Sequence, residues 1–169
     1  MKATFFKHTL NFITPGKTSR DVLQKKDSWF LVLKNNENYG IGECSIIPGL
    51  SLDKTENINF KLKSICDKIS SGKIISDNEL EGYPAIRFAL EIALKDLNSF
   101  DTPFKLFNSD FSNYIDSIKI NGLIWMGDIE QMKAQIATKI DNGFNCIKIK
   151  VGVLEFDTEL ELFKNLRKN

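Results

Sequence analysis

Gly143-Phe144-Asn145-Cys146-Ile147-Lys148-Ile149-Lys150-Val151-Gly152 alternates apolar and polar side chains between two glycines, the pattern of a strand with one dry face. Alternate residues of a strand share a side, so Cys146, Lys148 and Lys150 point one way and Ile147, Ile149 and Val151 the other. Just upstream, Asp128 with Gln131 three residues on forms a capping box that opens a helix with Ile129, Met132, Ile136 and Ile140 on one face, and Asn142-Gly143 stops it. Before that helix, Ser117 to Ile124 reads as a strand. After the lysine strand, Asp157 starts a helix carrying Leu160, Phe163 and Leu166. Strand, helix, strand, helix implies parallel strands and a right-handed crossover. A parallel sheet needs both faces covered and more than two strands, so the expectation is that this α/β part is unfinished and the chain is the N-terminal part of a longer protein or a truncated gene.

Residues 1–45 read differently. Three strands are expected, about Ala3 to Phe12, Trp29 to Lys34 and Tyr39 to Cys44. The tight polar connection Asn35-Asn36-Glu37-Asn38 points to an antiparallel hairpin. Thr14-Pro15-Gly16-Lys17-Thr18-Ser19-Arg20 is expected to be a polar loop, the kind of segment where binding residues sit. After Pro48-Gly49 the pattern turns helical. Asp53 is expected to cap a helix to about Ser71 with Ile58, Leu62, Ile65 and Ile69 on one face. A second helix begins near Pro84 with a stripe of Ile86, Ala89, Leu90, Ala93, Leu94 and Leu97. Arg87, Glu91 and Lys95 follow on its outer face as weak ion pairs.

Composition narrows the function. The chain has 169 residues, net charge +1 and 42% apolar residues, ordinary globular values that exclude global disorder. Its Lys and Arg are scattered, so nucleic acid is not an expected partner. No apolar run reaches the ~18 residues that span a bilayer, and the first residues lack a secretory core, so a cytoplasmic protein with no membrane partner is expected. Cys44, Cys66 and Cys146 lack metal-site spacing and read as inert thiols. His8 reads as structural. Acid and base chemistry must then rest on Lys, Asp, Glu, Tyr or Cys.

The lysine pair is the candidate. Its Cα atoms are ~6.6 Å apart on one face, and two like charges in a partly desolvated site lower each other's proton affinity, which turns a lysine into a base near neutral pH. An ordinary wet strand face with two lysines satisfies the same spacing, and the pattern alone leaves both readings open. Gly40 and Gly42 lack the helix that a phosphate loop needs. Glu43 follows them in the strand and reads as part of the packing.

Four pieces in order carry a resemblance: Gly40-Ile41-Gly42-Glu43-Cys44, Pro84-Ala85-Ile86-Arg87-Phe88-Ala89-Leu90-Glu91, Ile120-Asn121-Gly122-Leu123-Ile124, and the Lys148-x-Lys150-Val151-Gly152 segment. Together they resemble the enolase superfamily and, within it, the o-succinylbenzoate synthases of menaquinone biosynthesis, across essentially the whole chain. The resemblance implies an α+β capping domain, three antiparallel strands plus helices, over residues 1–115. Residues 116–169 would then be the first two β/α units of an incomplete TIM-type barrel. It implies a lyase in which a lysine removes a proton α to a carboxylate, magnesium stabilises the enediolate, and a hydroxyl leaves from a cyclohexadiene ring. Lys150 matches the acid/base and Lys148 the lysine that tunes it. Thr18, Ser19, Arg20, Ile47 and Leu50 fall in the two cap loops that contact the carboxylate substrate, and Asn121 lies near the first barrel strand's end. The family's magnesium ligands have no counterpart in residues 1–169 and are expected beyond them, so the chain alone is expected to be inactive. A dipeptide epimerase or racemase of the same superfamily would use the same lysines, and a non-catalytic α/β binding module is the reading from another class. Oligomeric state is not written in the sequence.

Overall fold

In a computed structural model of the chain, residues 1–17, 22–36, 38–99, 103–152 and 154–167 are described. The chain divides into two compact units, Met1–Phe12 with Lys25–Ile115 and Ile13–Gln24 with Asp116–Asn169. Three strands, β1 (Lys2–Lys17), β2 (Val22–Asn35) and β3 (Asn38–Ser45), run in the order β1-β2-β3, and the first unit holds them up to Phe12 of β1 and from Lys25 of β2. β2 and β3 pair antiparallel from Ser28↔Ser45 to Asn35↔Asn38. Asn36 turns that hairpin at φ 53°, a left-handed conformation that asparagine tolerates better than most residues. The expected loop from Thr14 is overturned in its first half, because β1 continues through Pro15 and Gly16 to Lys17. β1 lies at the edge of the sheet, and an edge strand can do without the N–H that proline lacks.

Alternate residues Trp29, Leu31 and Leu33 of β2 enter the core with Cys44 and Ile46, beneath α1 (Ile58–Ser70) and α2 (Pro84–Leu97). The α1 face is the expected one, with Ile58, Leu62, Ile65 and Ile69 buried together with Cys66. The expected cap is not. A 3-10 turn, Thr55–Asn57, precedes α1, and no side chain caps it. Asp53, only 3% exposed, instead accepts the backbone N–H groups of Ala85 at 3.1 Å and Ile86 at 3.4 Å. The cause lies in α2: Pro84 has no N–H and Tyr83 offers no side-chain cap, so the next buried amides need an acceptor from elsewhere in the chain.

Two further expectations for α2 change. Leu94 is exposed, and Asp96 is the buried residue of that turn. Its carboxylate accepts the N–H of Ile41 at 2.8 Å and of Phe104 at 2.7 Å, tying helix, strand and following loop together. Arg87 pairs with Asp77 at 2.8 Å and also donates to the Asp77 carbonyl, because the 3-10 turn Asp77–Leu80 offers it two acceptors. The glycines of β3 have a steric reason. A Cβ on Gly42 would lie 1.8 Å from the Ala89 carbonyl oxygen, and one on Gly40 2.1 Å from that of Ala93, so strand and helix meet backbone to backbone.

In the second unit, β4 (Gly122–Ile124) and β5 (Ile147–Ile149) pair in parallel, Gly122↔Ile147, Leu123↔Lys148 and Ile124↔Ile149. Both are shorter than expected, since a two-stranded ladder exists only where both chains run side by side. α3 (Ile129–Asp141) opens on the Asp128–Gln131 capping box and stops before Gly143 at φ 79°. α4 (Phe156–Leu166) follows β5. Ile124, Met132, Ile136 and Leu162 are buried, with Ile129, Ile147, Ile149, Leu154 and Leu166 packed against them. The buried face of α4 is therefore set by Leu162, while Leu160 and Phe163 are each 38% exposed. Among the described residues, no helix is long and apolar enough to cross a membrane.

Candidate functional site

The isoleucines of β5 turn toward α3 and α4, so strand alternation sends Lys148 to the opposite face. Lys150 follows one residue past the strand's C-terminal end. Both lysines are exposed, as is Cys146. The parallel register brings the residues just beyond β4 and β5 side by side, and the Lys150 ammonium lies 5.2 Å from the centroid of the Trp125 ring, within range of a cation–π contact.

Two side chains that the sequence reading passed over hold this corner. Gln135 of α3 accepts the Trp125 N–H at 2.8 Å and donates to the Trp125 carbonyl at 3.2 Å, pairing its amide with the peptide of Trp125 at both atoms. Glu159 comes from the first turn of α4. It is 9% exposed, and its carboxylate accepts the N–H of Gly152 at 2.9 Å and 3.0 Å and that of Leu154 at 3.1 Å. Gly152 adopts φ 92°, open to glycine at little cost. The turn leaving the lysine strand is thus fixed by an anion seated on its amides. The available signals were faint: Gln135 lies one turn beyond Gln131 on α3, and Glu159 follows the Val151-Gly152 turn by seven residues.

The other expected site residues are scattered. Asn121 precedes β4 by one residue, at the end of the strand opposite Lys150 and Trp125, and the structure does not bring it to the lysine. Ile47 opens a turn in the first unit. Its carbonyl accepts the N–H groups of Leu50 at 3.0 Å and Ser51 at 2.9 Å, and its own N–H donates to the Ser51 hydroxyl. Leu50 is half exposed and Leu52 largely so, whereas Ile46 is a core residue at 1% exposure. Thr18, Ser19 and Arg20 lie outside the described residues.

Other reactive groups are accounted for structurally. Burial pushes the Cys44 thiol up to about 12 and that of Cys66 to about 11, so neither is a nucleophile near neutrality. Glu43 accepts from the buried Ser28 hydroxyl at 2.6 Å and from Lys26 at 3.1 Å. Those bonds, the serine's first, hold its carboxyl below the usual value. Among the described residues, no group of three or more His, Cys, Asp or Glu side chains converges to hold a metal ion.

Comparison with known proteins places these features in context. The family described as MenC, N-terminal domain, matches residues 1–97. A curated o-succinylbenzoate synthase of Desulfotalea psychrophila is 34% identical in an alignment of 200 positions that takes in 100% of this chain and 54% of the relative. The crystal structure of MenC from the same organism superposes with a TM-score of 0.74 at 30% identity, over 99% of this chain and 53% of that one. At the level of fold alone, o-succinylbenzoate synthase of Thermosynechococcus elongatus, solved with magnesium in its active site, gives a TM-score of 0.70 at 18% identity, over 99% of this chain and 48% of that one. A dipeptide epimerase of Cytophaga hutchinsonii, solved with magnesium and a dipeptide, gives 0.75 at 20%, over 98% and 47%. The chain spans about half the length of the relatives it matches. The three-stranded sheet and helices of the first unit match the N-terminal capping domain of MenC, and the second unit supplies a two-stranded parallel sheet.

Proposed function

The chain belongs to the MenC family of the enolase superfamily, and from that premise we propose that it is part of an o-succinylbenzoate synthase, a carbon–oxygen lyase acting in the cytoplasm on a small carboxylate. In this reading residues 1–115 form the capping domain and residues 116–169 the first two β/α units of a TIM-type barrel. The observation that supports it most is the Lys148-x-Lys150 pair at the C-terminal end of β5, the end of a barrel strand where catalytic groups belong.

Lys150 is assigned as the base that takes the proton α to the substrate carboxylate. Hydroxide then leaves the neighbouring carbon and departs as water with the proton that Lys150 has taken up, which regenerates the amine, and the cyclohexadiene ring becomes aromatic. Lys148, on the same face, adds positive charge that favours the anion forming in the substrate. Thr18, Ser19, Arg20, Ile47 and Leu50 are assigned to substrate selection; Asn121 is not, because it stands at the wrong end of β4. Magnesium is proposed as the cofactor. The described residues do not present a ligand set for it.

The test is to express the longest continuous reading frame that contains codons 1–169 and assay dehydration with and without a chelator. Metal-dependent turnover that falls by roughly 10²–10⁴-fold in Lys150→Ala is the expected result. Exchange of the α proton of a dipeptide without dehydration would move the protein to the epimerases, whose lysines serve equally well. Neither activity would leave a binding module.

A further inference from the structure

The lysine assigned as base ends on a long, flexible stem just past the last hydrogen-bonded residue of β5, where strand pairing no longer restrains it. A base must hold a defined place before its substrate, since a displacement of about 1 Å can cost roughly 10²-fold in rate. The nearest restraint comes from the neighbouring strand: the Lys150 ammonium rests 5.2 Å from the Trp125 ring centroid.

The backbone that carries the ring is itself held. Trp125 has left the β4 ladder, and its peptide would face solvent at both polar atoms but for Gln135, which bonds its N–H at 2.8 Å and its carbonyl at 3.2 Å. Gln135 sits in the middle of α3, next to the buried Ile136, so the amide is delivered from a rigid element. Trp125 is nevertheless 48% exposed. The clamp sets where the Trp125 backbone lies, and the ring it carries is the aromatic group within cation–π range of the Lys150 ammonium. The chain from helix to base runs Gln135 side chain, Trp125 peptide, indole ring, Lys150 ammonium, all within the second unit.

We propose that Trp125 is a positioning residue for Lys150, holding the ammonium over its indole face at the C-terminal ends of β4 and β5, with Gln135 as the clamp on the backbone that carries the ring. This rests on the assignment of Lys150 as the base. The ring attracts the cation electrostatically and restricts the stem, so the lysine waits in one place rather than many.

The contact can be read without turnover. In a ¹H–¹³C correlation spectrum of the 169-residue chain, the ε-methylene protons of a lysine over an aromatic face feel the ring current. Lys150 should therefore resonate upfield of the lysines that face no ring, as should Lys7, Lys61, Lys95 and Lys139 over their own rings, and one of the shifted resonances should belong to Lys150. Its disappearance in Lys150→Arg assigns it. The upfield position should be lost in Trp125→Leu, largely kept in Trp125→Phe and reduced in Gln135→Ala. A Lys150 resonance among the ordinary lysines in the unmodified chain overturns the proposal whatever the variants do. In the longest frame, Trp125→Leu should lower kcat by roughly tenfold or more with KM unchanged, and Trp125→Phe should restore most of it. Unchanged kcat in Trp125→Leu also overturns the proposal. Unchanged turnover in Lys150→Ala is a separate failure, that of the catalytic assignment, and the spectrum distinguishes the two.

Discussion

A single methyl group at Gly42 has nowhere to go. Its Cβ would stand 1.8 Å from one backbone atom of α2 and 2.7 Å from another, and backbone cannot swing aside as a flexible side chain can. Gly42→Ala should therefore cost about 3 kcal/mol or more in urea denaturation. Gly72→Ala, at φ 79° with nothing within 4 Å, should cost only the left-handed strain of about 1–2 kcal/mol. Beside Gly42, Glu43 gives a pH dependence. Its folded pKa lies below the ordinary 4.5, chiefly through the Ser28 hydroxyl and then Lys26. A depressed carboxylate contributes stability above its unfolded pKa and loses it as pH falls through the folded one. Stability of the first unit should thus decline as pH drops below about 4.5, and Glu43→Gln should flatten that decline while lowering stability at pH 7. The Gly-x-Gly-Glu motif was legible as part of the cap, but the atoms it answers to lie on a helix some fifty residues on. The sequence shows the glycines; their cause is tertiary.

At the scale of elements, periodicity carried most of the reading. The α1 face, the Pro84 start of α2 and the Asp128 capping box followed from local pattern, because each is dictated by residues within a turn or two of one another, and the parallel strands followed from the strand–helix–strand order. What local pattern missed was long-range capping. Asp53 stands where a cap for α1 is expected, yet it serves the first turn of α2 more than thirty residues away. Asp53→Ala should leave two buried amides without a partner and cost about 2 kcal/mol, with faster hydrogen exchange at Ala85 and Ile86 rather than in α1. Asp53→Asn, which keeps one acceptor oxygen, should recover about half of that loss. Unchanged exchange at those two amides would show that the bonds contribute nothing. The candidate site divides the same way: the lysine pair was visible from alternation, whereas Gln135 and Glu159 reach it from neighbouring helices and left no signature of their own.

At the scale of the whole chain, the two units bury very unequal cores. In the first, Trp29, Leu31, Leu33, Ile58, Leu62, Ile65, Ile86 and Ala89 are among many fully or nearly buried side chains. In the second, the described buried apolar cluster is Ile124, Met132, Ile136 and Leu162 over a two-stranded sheet. Ile118, Ile120, Val151 and Phe156 remain more than half exposed. Sheets of two strands are marginal without further cover, so the second unit should unfold at lower denaturant than the first. The chain carries its own reporters, since it has two tryptophans, one in each unit. Trp29 is 2% exposed and bonds Asn59 through its indole N–H at 2.6 Å, and Trp125 is 48% exposed. In Trp125→Phe, urea-induced loss of tryptophan fluorescence should report the first unit alone, as one cooperative transition. In the unmodified chain an earlier phase should appear and be absent from that variant. Superimposable transitions from the two proteins would mean that the units unfold as one cooperative body, and the weakness inferred for the second unit would be wrong.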